Sequence, residues 1–299
     1  MSTEFVQNKR TLPVLGVGLG YRPTIAAQTL QSVADIDFLE VVSDNYIDGN
    51  PLRLQELDRA AEFQIIPHGI DLSIGSTDEL NYGYLDAVKL LIKRLNAPWW
   101  SDHLCFTGAG GLQLHELCPL PYTKEAVKHI VQRVRRVQEF VGVPFLLENI
   151  TSYMRVPGAE MTEAQFTSEV LEQADCGMLL DVNNVYVNAH NHNFDPFEFI
   201  DQLPLDRVVQ IHIAGHRKIE PLWVDTHGAK IDDHVYDLLA HVLRKTKVHA
   251  ILLERDQCFP KFSSIIQELR KIKSVAAEQQ PELARAGEGE AFDLIGKAA

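Results

Sequence analysis

Four cysteines in 299 residues, Cys105, Cys118, Cys176 and Cys258, are too few and too scattered for a disulfide framework, and no CxxC pair suggests a zinc ribbon. Most are expected to be buried reduced thiols. No apolar run approaches the ~20 residues of a membrane span, and the opening MSTEFVQNKR lacks the apolar core of a secretory signal. A cytoplasmic protein is expected. Basic residues are also short: 28 Lys and Arg against 41 Asp and Glu leave a net charge of −13, which opposes adhesion to nucleic acid or anionic lipid. Neither nucleic acid nor membrane is therefore an expected partner. The glycine-rich GVGLG at 16–20 lacks the GxGxxG spacing of a dinucleotide fingerprint, and lies inside a strand-like run as a packing device.

What is present is an alternation. Eight strand-like apolar runs, at 13–19, 37–42, 63–68, 98–105, 144–148, 177–182, 208–213 and 249–254, are separated by segments of helical period. In 122–141, Val127, Ile130, Val131, Val134 and Val137 form one apolar stripe, and Thr162 is placed to cap a helix running through Ala174. Apolar strands divided by crossover helices make a parallel sheet covered on its outer face, and eight units in roughly 250 residues match a (β/α)8 TIM barrel. A doubly wound open sheet is the competing fold. The catalytic domain is expected over 1–273, followed by a partly ordered tail over 274–299 with Phe292, Leu294 and Ile295 as a docking patch.

Polar residues fall at the strand ends. His68, His103, Glu148, Asp181, His212 and Glu254 each follow an apolar run, and the C-terminal rim of a parallel barrel is where active sites form. One buried His or carboxylate is usually a satisfied core residue. Six converging on one mouth would repel or stay unpaired unless cations held them together. These six are the candidate catalytic residues and metal ligands. His68, His103 and Glu148 make one site; Glu148 bridges to a second made by Asp181, His212 and Glu254. Asp225 and His227, two apart in a short apolar run and so on one side of an extended chain, complete a third with the side-chain carbonyl of Asn184. Oxygen and nitrogen donors without thiolate suit iron, manganese or zinc, and the pattern does not choose among them.

Taken in order, HGIDLSIGS (68–76), SDHLCF (101–106), PLPYT (119–123), LLENITSY (146–153), LLDVNNVYVNAHNHNFDP (179–196), IHIAGH (211–216), DTHG (225–228) and ERD (254–256) resemble the multinuclear non-heme iron-dependent oxidative (MNIO) enzymes, long catalogued as a domain of unknown function and including the iron subunit of methanobactin biosynthesis. The resemblance implies a barrel of the xylose-isomerase type, two or three irons in mixed Fe(II)/Fe(III) states and O2 as co-substrate. It implies a Cys-containing ribosomally made precursor peptide as substrate and a second protein that recognises the leader. The ligands carry over to His68, His103, Glu148, Asp181, Asn184, His212, Asp225, His227 and Glu254.

Some positions depart from that pattern or lie outside it. VVSDNY (41–46) has Asp44 where many relatives carry Glu before the Asn, and His190 and His192 fall in a stretch read as a polar loop. Asp102 is expected to back His103 rather than ligate, and His216 to orient a metal-bound group. Two rival functions stay open: a metal-dependent hydrolase or isomerase of the endonuclease IV or sugar-isomerase type, and a metal-holding partner protein without chemistry.

Overall fold

In the computed structural model, which describes residues 3–284, all eight apolar runs become parallel strands of one closed barrel: β1 (Gly16–Gly20), β2 (Phe38–Val42), β3 (Gln64–His68), β4 (Trp100–His103), β5 (Phe145–Glu148), β6 (Gly177–Asp181), β7 (Val208–Ile213) and β8 (Ala250–Leu253). Each strand pairs with its sequence neighbours and β8 closes on β1, with Gly16 opposite Ala250 and Leu19 opposite Leu253. The fold is the TIM barrel expected from the alternation. The run expected at 98–105 is shorter as a strand, because the chain turns after His103 and the Cys105 amide bonds back to the His103 carbonyl at 3.0 Å. Cys105 therefore does not share a strand face with His103.

Two apolar layers hold the barrel. One lies between strands and helices; the other fills the barrel floor with Phe5, Phe38, Ile66, Trp99, Leu146, Leu179 and Leu252. Side chains two apart on a strand face the same way, so the residue two beyond a floor residue carried by a strand also points inward, one layer higher. Phe38 is followed by Glu40, Ile66 by His68, Leu146 by Glu148, Leu179 by Asp181 and Leu252 by Glu254. The strand period itself thus delivers a polar layer over an apolar plug.

Gly18 shows how tight the plug is. A Cβ built there would sit 2.5 Å from the Phe38 ring, well inside contact distance, so the GVGLG run is a packing device. Gly18→Ala is expected to cost about 1–3 kcal/mol by overpacking. A urea midpoint equal to that of the parent protein would contradict it.

The amphipathic helix runs Lys124–Val141, with Thr123 capping the Ala126 amide at 3.2 Å and Gly142 ending it at φ 82°. Thr162 caps Glu163–Ala174 through a capping box with Gln165. Two hairpins were not foreseen, Phe106–Ala109 with Leu112–Cys118 after β4, and Arg217–Ile219 with Leu222–Val224 after β7. They stand on the C-terminal side and expose Leu112, Leu114, Ile219 and Leu222. The last helices, Phe262–Gln279 and Pro281–Ala284, carry the chain past 273 with Leu283 fully buried, while the expected patch of Phe292, Leu294 and Ile295 lies outside the described residues. All four cysteines are free: Cys105 and Cys176 are buried, Cys118 is half-buried and Cys258 is exposed. Among the described residues no helix is long and apolar enough to cross a membrane.

Candidate metal centre

His68, His103, Glu148 and Asp181 are the last residues of β3, β4, β5 and β6; His212 is the penultimate residue of β7, and Glu254 follows β8. Register brings them level, with His103 opposite Glu148 and Asp181 opposite His212. Glu148 is the common element. Its Oε2 lies 3.2 Å from His68 Nε2 and 3.3 Å from His103 Nε2, and its Oε1 lies 3.2 Å from His212 Nδ1. Glu254 approaches the same His212 nitrogen at 3.3 Å. Two sets of donor atoms, His68/His103/Glu148 and Glu148/Asp181/His212/Glu254, each fall within 4.8 Å of one another and share Glu148.

The electrostatics call for a cation. Burial pushes the Asp181 carboxyl well up, and Glu148, Asp225 and Glu254 push it further; burial, with His103 and His212, holds His68 well below the usual imidazole range. Burial alone would lower His212, but Glu40, Glu254 and Glu148 outweigh it and hold the ring well above. Burial alone would raise Glu254, yet His212 and His227 hold it well below. Glu148 Oε2, Asp181 Oδ2 and His212 Nδ1 are buried with no hydrogen-bond partner among the described residues. Orphaned buried polar atoms are costly, and several of them aimed at one volume are what a coordinated ion satisfies. The donor set fits a metal of the iron, manganese or zinc kind.

Asp225 and His227 do meet, with His227 Nε2 2.8 Å from Asp225 Oδ1, but not by sharing a strand. They lie in the loop after the second hairpin, where His227 takes the left-handed φ of 47°. Its other nitrogen lies 2.8 Å from Asp256 and 3.5 Å from Glu254, so the third close group is His227, Glu254 and Asp256. Asn184, expected beside Asp225 and His227, accepts from Thr151 Oγ1 at 2.6 Å and donates to the Asn149 carbonyl at 3.0 Å. One lone pair of its amide oxygen remains. His216 reaches Asp225 through Asn183: His216 Nδ1 lies 2.9 Å from Asn183 Oδ1, and Asn183 Nδ2 donates to Asp225 at 2.8 Å.

Asp102, fully buried behind His103, accepts from the His103 amide at 2.7 Å, the Leu72 amide at 3.3 Å and the Tyr84 hydroxyl at 3.3 Å. Asp44 ties the segment after β3 by accepting from the Ile70 and Asp71 amides at 2.9 and 3.2 Å. His190 and His192 are not in a loop. Asp181 caps a helix over Val182–His192, which the Asn-rich composition disguised by its weak helix propensity. His190 stacks on Trp223 at 3.8 Å, and His192 Nε2 lies 2.8 Å from the Ser152 carbonyl.

Sequence reasoning missed Glu40, Asp256 and Arg22. Glu40 sits on β2 with an oxygen 3.0 Å from His212 Nε2; its signal is a lone carboxylate inside the apolar FLEVV, two residues after an inward Phe. Arg22 bridges Asp256 at 2.7 Å and Glu254 at 3.8 Å.

The segment after β5 also borders a cavity of about 510 Å³, lined by Leu120, Tyr122, Met154, Met161, Glu163 and Phe199 among others but by none of the cluster's donor residues. Burial pushes the Glu163 carboxyl up to about 7. The folded state therefore holds a proton that the unfolded chain has released, and its stability declines as pH rises from about 4.5 to 7. Glu163→Gln is expected to remove that decline, so that the variant gains on the parent in melting temperature across this window. Parallel curves from pH 4.5 to 7.5 would contradict it.

A family model described as the RiPP precursor modification enzyme MbnB/TglH/ChrH matches residues 16–277. The chain is 42% identical over 269 residues to the UPF0276 protein of Anaeromyxobacter sp. (strain Fw109-5), covering 89% of this chain and 95% of that one. It is 41% identical to the UPF0276 protein of Acinetobacter baylyi, covering 87% and 91%. Among solved structures it resembles 3-keto-D-glucoside 4-epimerase from E. coli (TM-score 0.56, 12% identity, 87% of this chain and 99% of that one). It also resembles a D-psicose 3-epimerase (TM-score 0.55, 9% identity, 88% and 99%). At such identities these two speak for a xylose-isomerase-like barrel alone. The match over most of the barrel, with the motifs at its strand ends, makes this chain a member of the MbnB/TglH/ChrH family of RiPP precursor modification enzymes.

Proposed function

We propose that this protein is a multinuclear non-heme iron oxidase that uses O2 to modify cysteine residues of a ribosomally made precursor peptide. The observation that carries the reading is the buried shared carboxylate: Glu148 belongs to two adjacent donor sets, three of whose buried atoms, Glu148 Oε2, Asp181 Oδ2 and His212 Nδ1, lack hydrogen-bond partners among the described residues. His68, His103 and Glu148 would hold one ion, and Glu148, Asp181, His212 and Glu254 a second. Asp225, His227 and Asn184, with Asp256 alongside, would hold a third. Bound iron would supply a seat for the substrate thiolate, lowering its pKa, and one-electron chemistry with O2.

The chain's own groups do the rest. The carboxylates of Glu148, Asp181, Glu254 and Asp225 would offset much of the metal charge, and the apolar floor from Phe38 to Leu252 shuts water out from below. His216 and Asn183 orient Asp225, and the Tyr153 hydroxyl accepts from the Asp225 amide at 3.1 Å, pinning that loop over the mouth. No side chain is required as a covalent nucleophile. Free thiols at all four cysteines accord with a cytoplasmic setting, and a leader-binding partner protein belongs to the same reading.

The test is direct. Iron-loaded protein is mixed with the Cys-containing peptide encoded beside its gene, with and without O2, and with and without any neighbouring leader-binding protein. A mass change confined to the aerobic samples is expected. Equal conversion without O2, or iron-loaded protein that never alters the peptide under any of these conditions, would overturn the reading.

A further inference from the structure

The histidines of the cluster are not backed alike. His68 and His103 present Nε2 to Glu148, and behind them their Nδ1 atoms meet neutral oxygens, Ser101 Oγ at 2.8 Å and the Gly69 carbonyl at 3.1 Å. His212 is turned the other way. Its Nδ1 faces Glu148 and Glu254, and its Nε2 rests on the carboxylate of Glu40 at 3.0 Å. Glu40 is 1% exposed and is itself held: Gln210 Nε2 donates to it at 2.5 Å, and Trp99 Nε1 donates to Gln210 Oε1 at 2.9 Å. The front of the cluster is unequal in the same sense. The donor set of His68 and His103 includes one carboxylate, and that of His212 includes three.

A carboxylate behind an imidazole makes the front nitrogen a stronger donor, and anionic oxygens favour the more highly charged cation. A neutral acceptor does less. Resting on the iron reading above, we propose that Glu40 is a positioning residue that places the ferric charge at the His212 side of the cluster and leaves the His68/His103 side ferrous. Glu40 would touch no substrate and no reacting atom; it acts through His212. A purely structural Glu40, one that only satisfies a buried ring, would alter stability and leave the iron spectrum where it was.

The experiment compares wild type, Glu40→Gln and Ser101→Ala after loading with 57Fe, by Mössbauer spectroscopy and by dithionite titration under argon. Loss of an outer-shell partner typically costs about 10–100-fold in affinity. If that loss falls on the ferric form, the His212-side couple of Glu40→Gln rises by about 60–120 mV, at 59 mV per tenfold for one electron. Its ferric fraction falls at equal total iron. Ser101→Ala, altered behind a neutral-backed ring, is expected to keep the wild-type potential. Unchanged ferric fraction and potential in iron-replete Glu40→Gln, or an equal shift in Ser101→Ala, overturns the role of Glu40 and leaves the oxidase reading standing. If Glu40→Gln does not fold, Glu40→Asp, which keeps the charge but withdraws it by one methylene, must show a smaller shift of the same sign, and no shift overturns the proposal. Wild-type protein that binds zinc and refuses iron overturns both.

Discussion

Glu148→Ala is expected to abolish peptide modification and to empty two metal positions together. Both oxygens of this carboxylate are engaged, one toward His68 and His103 and the other toward His212, so a single truncation strips a donor from two sets. Loss of an outer-shell partner already costs about 10–100-fold in metal affinity, and loss of the shared ligand is expected to exceed the upper end of that range. Glu148→Asp is the sharper variant. Its carboxylate is one methylene shorter and cannot reach both sides from β5, so it is expected to retain one of the two ions and no activity. Metal analysis of both variants against wild type checks this. A Glu148→Ala protein with parental metal content would mean that the two donor sets do not form a joined centre.

Arg255→Met is expected to be the most destabilising change outside the cluster. Arg255 lies between Glu254 and Asp256, is 1% exposed, and donates to Glu268 at 2.5 Å and to the Ala229 carbonyl. Removing it leaves the Glu268 carboxylate buried, with the Ile231 amide at 3.0 Å as its one further donor among the described residues. Breaking a buried ion pair from one side typically costs about 3–5 kcal/mol, which in a chain of this size lowers the melting temperature by on the order of 10 °C. The double variant Arg255→Met/Glu268→Leu is expected to recover much of the loss, because no uncompensated charge remains. Because Arg255 also sets the backbone between Glu254 and Asp256, metal content should fall in the single variant even at temperatures where it stays folded. A single variant that melts with the parent would contradict the assignment.

The barrel was legible because each strand is nearly all apolar and each crossover helix has its own period, two signals that agree. The six strand-end residues could be read for the same reason, since a His or carboxylate closing an apolar run stands out. Glu40 did not stand out in that way, because it lies inside its strand rather than at the end, with Val41 and Val42 after it. Counting two residues on from each floor residue would have found it. The helix over Val182–His192 was hidden by its own asparagines; its cap is Asp181, a residue read only as a ligand. Asp225 and His227 were placed near each other for the wrong geometric reason, since a left-handed His227 and a hairpin bring them together. Such backbone conformations in non-glycine residues are set by tertiary contacts and leave little local trace.

The hairpin over Phe106–Cys118 grows from β4 just beyond His103, yet none of its residues joins the donor sets around Glu148, and its outer strand is largely solvent-facing. The proposed ion ligands and this exposed hairpin are thus encoded in separate stretches of chain. Lineages could rewrite the latter, lengthening, recharging or exchanging it wholesale, without disturbing the chemistry beneath. An engineer could graft one relative's hairpin onto another's barrel on the same logic.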